Sequence, residues 1–263
     1  MNASPLAIRV SVVIPAKNEA RNIGWVLGRM PSVVDEVIIV DGLSTDGTLD
    51  VAKSIDPDVV VIHEMRPGKG AAMRAGMSAA RGEFIVLLDA DGSMDPVEIE
   101  RYVDQLALGY ELVKGSRKLP GGGSSDLTPL RDFGNARLLD LANLLFRTDF
   151  TELCYGFVAL RRSAIAALQL DADGFEIETQ IVTRAVRAGL RIVEVPSTEA
   201  PRRFGESNLN TFRDGWRVLS TILAERLAGG MPAAPASTSA PVSVPIPIVG
   251  RESVVSGSPD ELT

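Results

Sequence analysis

The feature that most constrains the fold is a regular alternation of apolar runs with helical patterns through the first half of the chain. Five apolar runs predict strands, at residues 8–16, 36–41, 58–63, 84–89 and 110–116. The segments between them carry the spacing of amphipathic helices. Strands joined by helical crossovers lie parallel in one sheet, with helices on its faces. We therefore predict an α/β fold with a mostly parallel sheet flanked by helices.

Beyond residue 117 the regular alternation ends, and a Gly/Ser/Pro-rich loop is followed by further predicted helices and strands. We predict the loop at 117–129, helices at 130–146, 176–189 and 211–228, and strands at 156–162 and 191–196. The last helix places several large apolar residues on one face, which we interpret as a packing face. These residues are Phe212, Trp216, Leu219, Leu223 and Leu227. Contact with a membrane surface or a partner is the alternative for this face.

Composition narrows the classes of function. The formal net charge of the 263 residues is −7, which disfavours a nucleic-acid binder because phosphate backbones attract basic surfaces. Cys154 is the single cysteine, so an intrachain disulfide is excluded and a reducing compartment is expected. We find no signal-peptide pattern at the start and no apolar run of about 18 residues, and we expect a cytoplasmic protein. The Ala/Pro/Ser-rich residues 230–263 predict a disordered tail.

Two aspartates stand at the end of the fourth apolar run. Residues 84–88 suit a strand buried on both faces, and Asp89 and Asp91 follow where that strand leaves the core. Two carboxylates that point the same way repel each other unless a cation or hydrogen bonds stabilise them. The alternative is that Asp89 caps the next helix and Asp91 forms a turn. We favour a site for Mg²⁺ or Mn²⁺, which bind carboxylate and phosphate oxygens.

Three further features point to a ligand that carries phosphate. Asp41 ends the second predicted strand, where its carboxylate suits a base N–H or a ribose hydroxyl. Lys69 lies between two glycines that let the backbone approach a ligand. Loop arginines suit bidentate phosphate binding, although each alone could be a solvated surface residue; they are Arg117, Arg131, Arg202 and Arg203. Neither a Walker motif nor GxGxxG occurs, which disfavours P-loop and dinucleotide-binding folds.

In their order along the chain, these motifs resemble the inverting family 2 glycosyltransferases of the GT-A fold. The resemblance is carried by VVIPAKNEARNI (12–23), VDGLSTDGT (40–48), GKGAAMRAG (68–76), LLDADGS (87–93) and KGSRKL (114–119). A narrower similarity to polyprenyl-phosphate hexose synthases, of the dolichyl-phosphate mannose or glucose type, is carried by a second set of stretches. These are GSR (115–117), PLRDFGN (129–135), CYGFVALRR (154–162), DGFEIET (173–179) and RRFGESNLN (202–210).

The resemblance implies a Rossmann-like GT-A domain over residues 1–229, with a nucleotide-sugar half at 8–117 and an acceptor half at 118–229. It implies a nucleoside pocket lined by Pro15, Ala16, Glu19 and Asp41, with Lys69 near the base or the diphosphate. It implies that Asp89 and Asp91 bind the donor diphosphate through Mg²⁺ or Mn²⁺, with Ala90 between them as a donor-binding residue. It implies that Arg117, Arg131 and Asn135 bind the acceptor phosphate. It also implies that Arg202 and Ser207 belong to a loop that closes over the diphosphate.

The nature of the acceptor determines whether the reaction needs a general base. The implied reaction moves a hexose from a nucleotide sugar such as UDP-glucose to polyprenyl phosphate, with peripheral contact at the cytoplasmic membrane face. A phosphate acceptor is already an anion and needs only positioning, by Arg117 and Arg131. An alcohol acceptor would need a base, for which Glu176 and Glu178 are the candidates. Orientation of basic side chains is the alternative role for these two glutamates.

A soluble small-molecule acceptor, such as a phosphorylated acid, is the alternative to the lipid. Retaining glucosyl-phosphoglycerate synthases share the GT-A fold and are one form of this alternative. His63 is the only histidine, so the chain has no histidine ligand late in its sequence, which disfavours that form. The oligomeric state is left open, a homodimer included.

Overall fold

The computed structural model describes residues 9–205 and 211–229. The strands are β1 (Val10–Ala16), β2 (Glu36–Asp41), β3 (Val60–His63), β4 (Phe84–Leu87), β5 (Leu112–Ser116), β6 (Gly123–Ser124), β7 (Val158–Arg161), β8 (Ile192–Pro196) and β9 (Thr198–Glu199). The helices are α1 (Ala20–Leu27), α2 (Thr48–Ile55), α3 (Lys69–Ala79), α4 (Ile99–Ala107), α5 (Pro129–Phe146), α6 (Arg162–Leu168), α7 (Ile177–Arg187) and α8 (Thr211–Ala228).

A sheet of seven strands, in the order β3-β2-β1-β4-β7-β5-β8, spans both halves of the chain. β1 pairs in parallel with β2 and β4, β2 with β3, and β5 with β8. β7 is antiparallel to both of its neighbours, β4 and β5. The predicted α/β fold with a mostly parallel sheet flanked by helices is confirmed.

The sheet separates two apolar cores, because successive side chains of a strand point to opposite faces. Val13 packs in one core with Met73 of α3, whereas Val12 and Ile14 pack in the other with Ile23 of α1. Both faces of the central strands are therefore covered by apolar packing, which explains the consecutive apolar residues of the sequence, such as 12–14, 37–40 and 84–87. The parallel register also brings the ends of β1, β2 and β4 to one edge of the sheet.

The predicted packing face of the last helix is wrong. Phe212, Trp216, Leu223 and Leu227 are exposed, and Leu219 is only partly buried. The helix α8 instead packs on α5 and α7 through a stripe of four buried residues, Asp214, Val218, Ile222 and Glu225. The stripe includes acidic residues because basic partners neutralise them: Glu225 accepts hydrogen bonds from Arg184 and Arg187. The spacing of apolar residues alone could not predict this packing face, because its first and last residues, Asp214 and Glu225, are acidic.

Three short elements were not predicted. The helix α6 begins directly after β7, and β6 pairs in parallel with β9 to join two segments that the sequence predicted as loops. The predicted tail at 230–263 and the predicted donor residue Ser207 lie outside the described residues. No helix among the described residues is both long enough and apolar enough to cross a membrane.

Candidate active site

A cavity of about 830 Å³ opens at the carboxyl edge of the sheet, where α5 and α8 also contribute to its walls. Most of the predicted site residues line it: Pro15, Ala16, Glu19, Lys69, Asp89, Ala90, Asp91, Arg117, Arg131, Asn135, Glu178 and Arg202. Asp41 and Glu176 are outside its lining. The fold therefore brings together residues that are separated by more than a hundred positions in the sequence.

Lys69 joins two carboxylates in this cavity. Its ammonium lies 2.6 Å from Asp89 Oδ1 and 2.8 Å from Glu178 Oε1. Lys69 is the first residue of α3, whose start packs closely on the segment before α7. A Cβ at Gly70 would lie only 2.4 Å from the carbonyl oxygen of Ala172, so glycine is required for this approach. The close packing holds the start of α3 and the start of α7 together, and with them Lys69 and Glu178.

Burial and charge act against each other in this cluster. Burial, with the negative charges of Asp91 and Glu178, raises the pKa of Asp89 to about 6 even though Lys69 acts to lower it. Burial also disfavours the charged form of Lys69, but the two carboxylates outweigh burial and raise the pKa of its ammonium. Lys69 therefore remains charged at neutral pH, and Asp89 is predominantly ionised there.

Asp91 lies under a segment that folds back from β9. Its Oδ1 accepts hydrogen bonds from the backbone N–H and the hydroxyl of Ser93, at 3.0 and 2.7 Å. Its Oδ2 lies 3.8 Å from Nη1 of Arg202, which also forms an ion pair with Glu19. Asn22 of α1 donates a hydrogen bond to the carbonyl oxygen of Phe204 at 3.1 Å. These contacts attach the segment to α1 and place Arg202 beside the second aspartate.

The acidic pair fits a cation that is shared with a ligand. Asp89 and Asp91 line the same cavity, with 26% and 22% of their side chains exposed. Among the described residues, no group of three or more His, Cys, Asp or Glu side chains could hold a metal ion by itself. Mg²⁺ and Mn²⁺ commonly take one or two carboxylates from the protein and the remaining oxygens from a phosphate ligand and water. Asp89 and Asp91 suit this second kind of site.

Arg117 lines the cavity but is already paired. Its guanidinium donates to Glu152 Oε2 at 2.9 Å, to Glu199 Oε2 at 2.8 Å and to the carbonyl oxygen of Cys154 at 3.1 Å. Although burial disfavours its charge, the two carboxylates outweigh burial and raise the pKa of Arg117. Its side chain is only 5% exposed. Arg117 thus ties the end of β5 to the 152–154 segment and to β9, and its charge is balanced before any ligand binds.

Arg131 is held less tightly by its neighbours. It lies in the first turn of α5, where its backbone N–H donates to the capping hydroxyl of Thr128. Its guanidinium lies 3.9 Å from Asp126, beyond hydrogen-bond distance, and 23% of its side chain is exposed. Asn135 lies one turn further along the same helix and lines the same wall. This part of the predicted acceptor site retains the capacity to bind an anion.

Three predicted residues lie outside the lining: Arg203, whose guanidinium lies 4.7 Å from the centre of the Trp25 ring, and Asp41 and Glu176, which have local partners. Both carboxylate oxygens of Asp41 accept from the backbone N–H of Ser44, at 3.2 and 3.3 Å, and Asp41 Oδ2 lies 3.3 Å from His63 Nδ1. Asp41 therefore shapes the loop after β2. Glu176 Oε1 accepts from the backbone N–H of Gly174 at 3.1 Å. Of the two candidate bases, Glu178 is the one that lines the cavity, and Lys69 already pairs with it.

Two residues of the site were missed from the sequence. Glu199 lines the cavity and accepts hydrogen bonds from both Arg117 and Ser124. Gly156 leaves space for the charged cluster, because a Cβ there would lie 2.6 Å from Lys69 Nζ and 3.0 Å from Glu178 Oε1. Both depend on contacts between residues that are distant in sequence, so no local spacing could have indicated them.

Comparison with known proteins places this chain in a family. The model described as Glycosyl transferase family 2 matches residues 11–168. The chain belongs to glycosyl transferase family 2. It is a glycosyltransferase, as the resemblance implied.

Two relatives share about a third of their residues with it. An undecaprenyl-phosphate mannosyltransferase of Micrococcus luteus is 33% identical, over 77% of this chain and 88% of that protein. A polyprenol monophosphomannose synthase of Mycolicibacterium smegmatis is 32% identical, over 77% of this chain and 81% of that protein. Each match extends over most of both proteins.

Solved structures confirm the GT-A fold. Glucosyl-3-phosphoglycerate synthase from Mycobacterium tuberculosis, in complex with Mn²⁺, UDP and phosphoglyceric acid, has a TM-score of 0.65 at 23% identity. The match covers 86% of this chain and 80% of that one. A second structure, of a mycobacterial protein, has a TM-score of 0.67 at 23% identity, over 86% and 76% of the two chains.

Proposed function

We propose that this family 2 enzyme is a metal-dependent inverting glycosyltransferase that moves a hexose from a UDP-linked sugar to polyprenyl phosphate. One observation carries the proposal: one cavity is lined both by an acidic wall, at Asp89 and Asp91, and by a basic wall, at Arg131. Asp89 and Asp91 suit a diphosphate bound through a cation. Arg131, with Asn135 beside it, suits a second phosphate. A phosphate acceptor next to a nucleotide-sugar donor requires both walls.

On the donor side, the diphosphate would lie against Asp89 and Asp91, beyond a nucleoside held by Pro15, Ala16 and Glu19. Mg²⁺ or Mn²⁺ bound there would neutralise the charge that develops as the nucleoside diphosphate leaves. The ammonium of Lys69 adds fixed positive potential at the same place. Asp41 would support this pocket from behind, through the loop after β2. Ser207 remains a prediction for the closing loop, with Arg202.

On the acceptor side, Arg131 would bind the phosphate and Asn135 would orient it, while Arg117 holds the wall. An oxygen of the phosphate attacks C1 of the hexose as the bond from C1 to the diphosphate breaks, which inverts the anomeric centre. The second pKa of a phosphate monoester is about 6, so this nucleophile is largely deprotonated at neutral pH. No general base is then required, and Glu178 serves to position Lys69. Glu176 has no place in the transfer to phosphate.

Three observations support the choice of substrates. The two relatives described above are named for mannosyl transfer with undecaprenyl phosphate and for polyprenol monophosphomannose synthesis. The structural neighbour binds UDP together with Mn²⁺, which favours UDP as the nucleotide here. A polyprenyl acceptor would place the reaction at the cytoplasmic face of a membrane.

A soluble phosphorylated acid is the second candidate acceptor. It is favoured by the phosphoglyceric acid in the structural neighbour. Arg131 could bind the phosphate of such an acid without any change in the donor side. The two candidates therefore differ only in what is attached to the acceptor phosphate.

The test is a transfer assay with labelled UDP- and GDP-hexoses, Mn²⁺ and either a short-chain polyprenyl phosphate or 3-phosphoglycerate. Product is separated between organic solvent and water. We expect label from a UDP-hexose in the organic phase, and its loss in Asp91→Asn. Label that appears only in a water-soluble product of 3-phosphoglycerate would replace the lipid by the second candidate. Transfer to neither acceptor would reject a phosphate acceptor.

A further inference from the structure

Two helices beside the cavity carry exposed apolar side chains. On α8, Phe212 is 80% exposed, Trp216 69% and Leu227 87%. On α5, Leu130, Phe133 and Leu144 are also exposed. Large aromatic side chains on the surface lose favourable burial unless something covers them. We call these residues, together with Leu223, the apolar surface of α5 and α8.

The charges beside these residues are of one sign on α8. Its two acidic residues, Asp214 and Glu225, are buried in the packing stripe. Asp214 lies 3.3 Å from Arg213 and 3.7 Å from Arg217, whose side chains remain 61% and 48% exposed. The exposed residues of α8 are apolar or small, apart from Ser220 and two arginines, Arg213 and Arg217. A helix that exposes Trp, Phe and Leu with arginines between them, and no acidic residue, is typical of helices that lie in the interface of an anionic membrane. This local pattern contrasts with the formal net charge of −7 for the whole chain.

The same helices form part of the cavity. Thr211 and Gly215 line it, and each is followed directly by an exposed aromatic residue of α8. Gly134 of α5 lines it as well, next to the exposed Phe133. An acceptor whose phosphate is bound by Arg131 would therefore have its chain leave the cavity beside exposed apolar side chains.

We propose that the apolar surface of α5 and α8 docks the enzyme on an anionic lipid bilayer, so that a polyprenyl phosphate enters the cavity directly from the membrane. This inference rests on the proposed function for its biological purpose, although lipid binding can be measured without any transfer. Insertion of Phe212 and Trp216 into the interface buries their rings, and Arg213 and Arg217 meet anionic headgroups.

A second copy of the chain fits this surface less well. In a two-fold dimer the same patch meets itself, so the positive charge of Arg213 and Arg217 would be brought against a patch that carries the same charge. Like charges across an interface disfavour association, and the exposed acidic residues of α5, Asp132 and Asp140, already pair with Lys118 and Arg137. A bilayer with anionic lipid removes this repulsion.

The test uses flotation of the full chain with vesicles of phosphatidylcholine, with or without phosphatidylglycerol. We expect binding to vesicles that contain phosphatidylglycerol, and weakening by 0.5 M salt because salt screens surface charge (the Debye length is then about 4 to 5 Å). The double variant Phe212→Ser, Trp216→Ser should lose at least about tenfold in vesicle binding. Leu108→Ser is the matched control, because Leu108 is 66% exposed after α4 and away from this surface.

A second readout separates the surface from the active site. The double variant should keep wild-type transfer to a short-chain, water-soluble polyprenyl phosphate, and lose it with a long-chain acceptor in vesicles. Wild-type chain that stays unbound by anionic vesicles while it glycosylates the short acceptor would overturn docking and leave the proposed function intact. Vesicle binding that depends on Trp216, in an enzyme that transfers to no lipid phosphate, would keep docking and reject the function. A change from dimer to monomer in the double variant, without loss of vesicle binding, would assign the surface to a second copy.

Discussion

At the scale of single residues, the site depends on one ammonium between two carboxylates. Lys69 is 10% exposed and pairs with Asp89 and Glu178 at hydrogen-bond distance. A lysine in this position does two things at once, since it lowers the pKa of Asp89 and presents positive charge to the donor. Loss of its charge should therefore affect both donor binding and stability.

Lys69→Met tests this directly. Without the ammonium, the donor diphosphate loses a positive charge beside it, and the Asp89 and Glu178 carboxylates lose the cation that they share. We expect kcat/KM to fall by about 100-fold, as for removal of one preorganised electrostatic contact. UDP affinity in the presence of Mn²⁺, measured by calorimetry, should fall as well. Lys53→Met on the exposed side of α2 is the control, and equal behaviour of the two variants would contradict this role.

Gly156 provides the space for that cluster. A Cβ there would contact Lys69 Nζ at 2.6 Å, so Gly156→Ala should displace the ammonium and reduce kcat/KM at least about tenfold. Gly123→Ala is the matched control, because nothing lies within 4 Å of its Cβ position. Far-ultraviolet circular dichroism should show both variants folded. Full activity of Gly156→Ala would mean that the cluster tolerates movement.

Cys154 lines the cavity but should not be reactive. Burial, together with the nearby carboxylates of Glu178 and Glu152, raises the pKa of its thiol to about 12. A raised thiol pKa means less thiolate at any pH below it, so reactivity at pH 8 should be about 1000-fold below that of a cysteine with the usual pKa of 9. Alkylation by iodoacetamide, followed by mass spectrometry in buffer and in urea, measures this ratio. Similar rates in the two conditions would contradict the assignment.

At the scale of elements, α8 separates a packing stripe from an exposed apolar face. Ile222→Ala should destabilise the protein by about 2 to 4 kcal/mol, because Ile222 is fully buried and its loss leaves a cavity. Leu227→Ala, on the exposed face, should change the free energy of unfolding by less than about 0.5 kcal/mol. Urea unfolding of both variants gives the comparison. A larger effect at Leu227 would restore the packing face expected from the sequence.

The elements also show what the sequence could and could not predict. β1, β2 and β4 were predictable because each contains consecutive apolar residues and is followed by helical spacing, and Asp89 and Asp91 come shortly after the end of β4. The face of α8 was not predictable, because its packing stripe contains Asp214 and Glu225. Their burial depends on arginines of other elements, such as Arg184 for Glu225. The local spacing of apolar residues carries no information about partners that are distant in the sequence.

At the scale of the whole molecule, one sheet positions both the predicted donor residues and the predicted acceptor residues. The parallel strands β1, β2 and β4 bring the predicted donor residues to their carboxyl ends, and β7, β5 and β8 continue the same sheet on the other side of β4. Arg117 was predicted to bind the acceptor phosphate, and the fold does bring it to the cavity. Its pairing with Glu152 and Glu199 could not be foreseen, since 35 and 82 residues separate it from these partners. Arg131 was predicted from the same pattern and keeps its capacity for an anion.

The central claim is that donor and acceptor phosphates bind at separate walls of one cavity. A two-substrate kinetic analysis of Arg131→Ala, with a water-soluble short-chain polyprenyl phosphate, tests it most directly. Arg137→Ala is the control, on the same helix with its side chain 64% exposed. We expect Arg131→Ala to raise the acceptor KM by about 10- to 100-fold, because this factor corresponds to the free energy of one hydrogen bond to a charged group. The donor KM should stay within about twofold of wild type. An equal loss for donor and acceptor, or no effect on the acceptor, would contradict two separate phosphate sites.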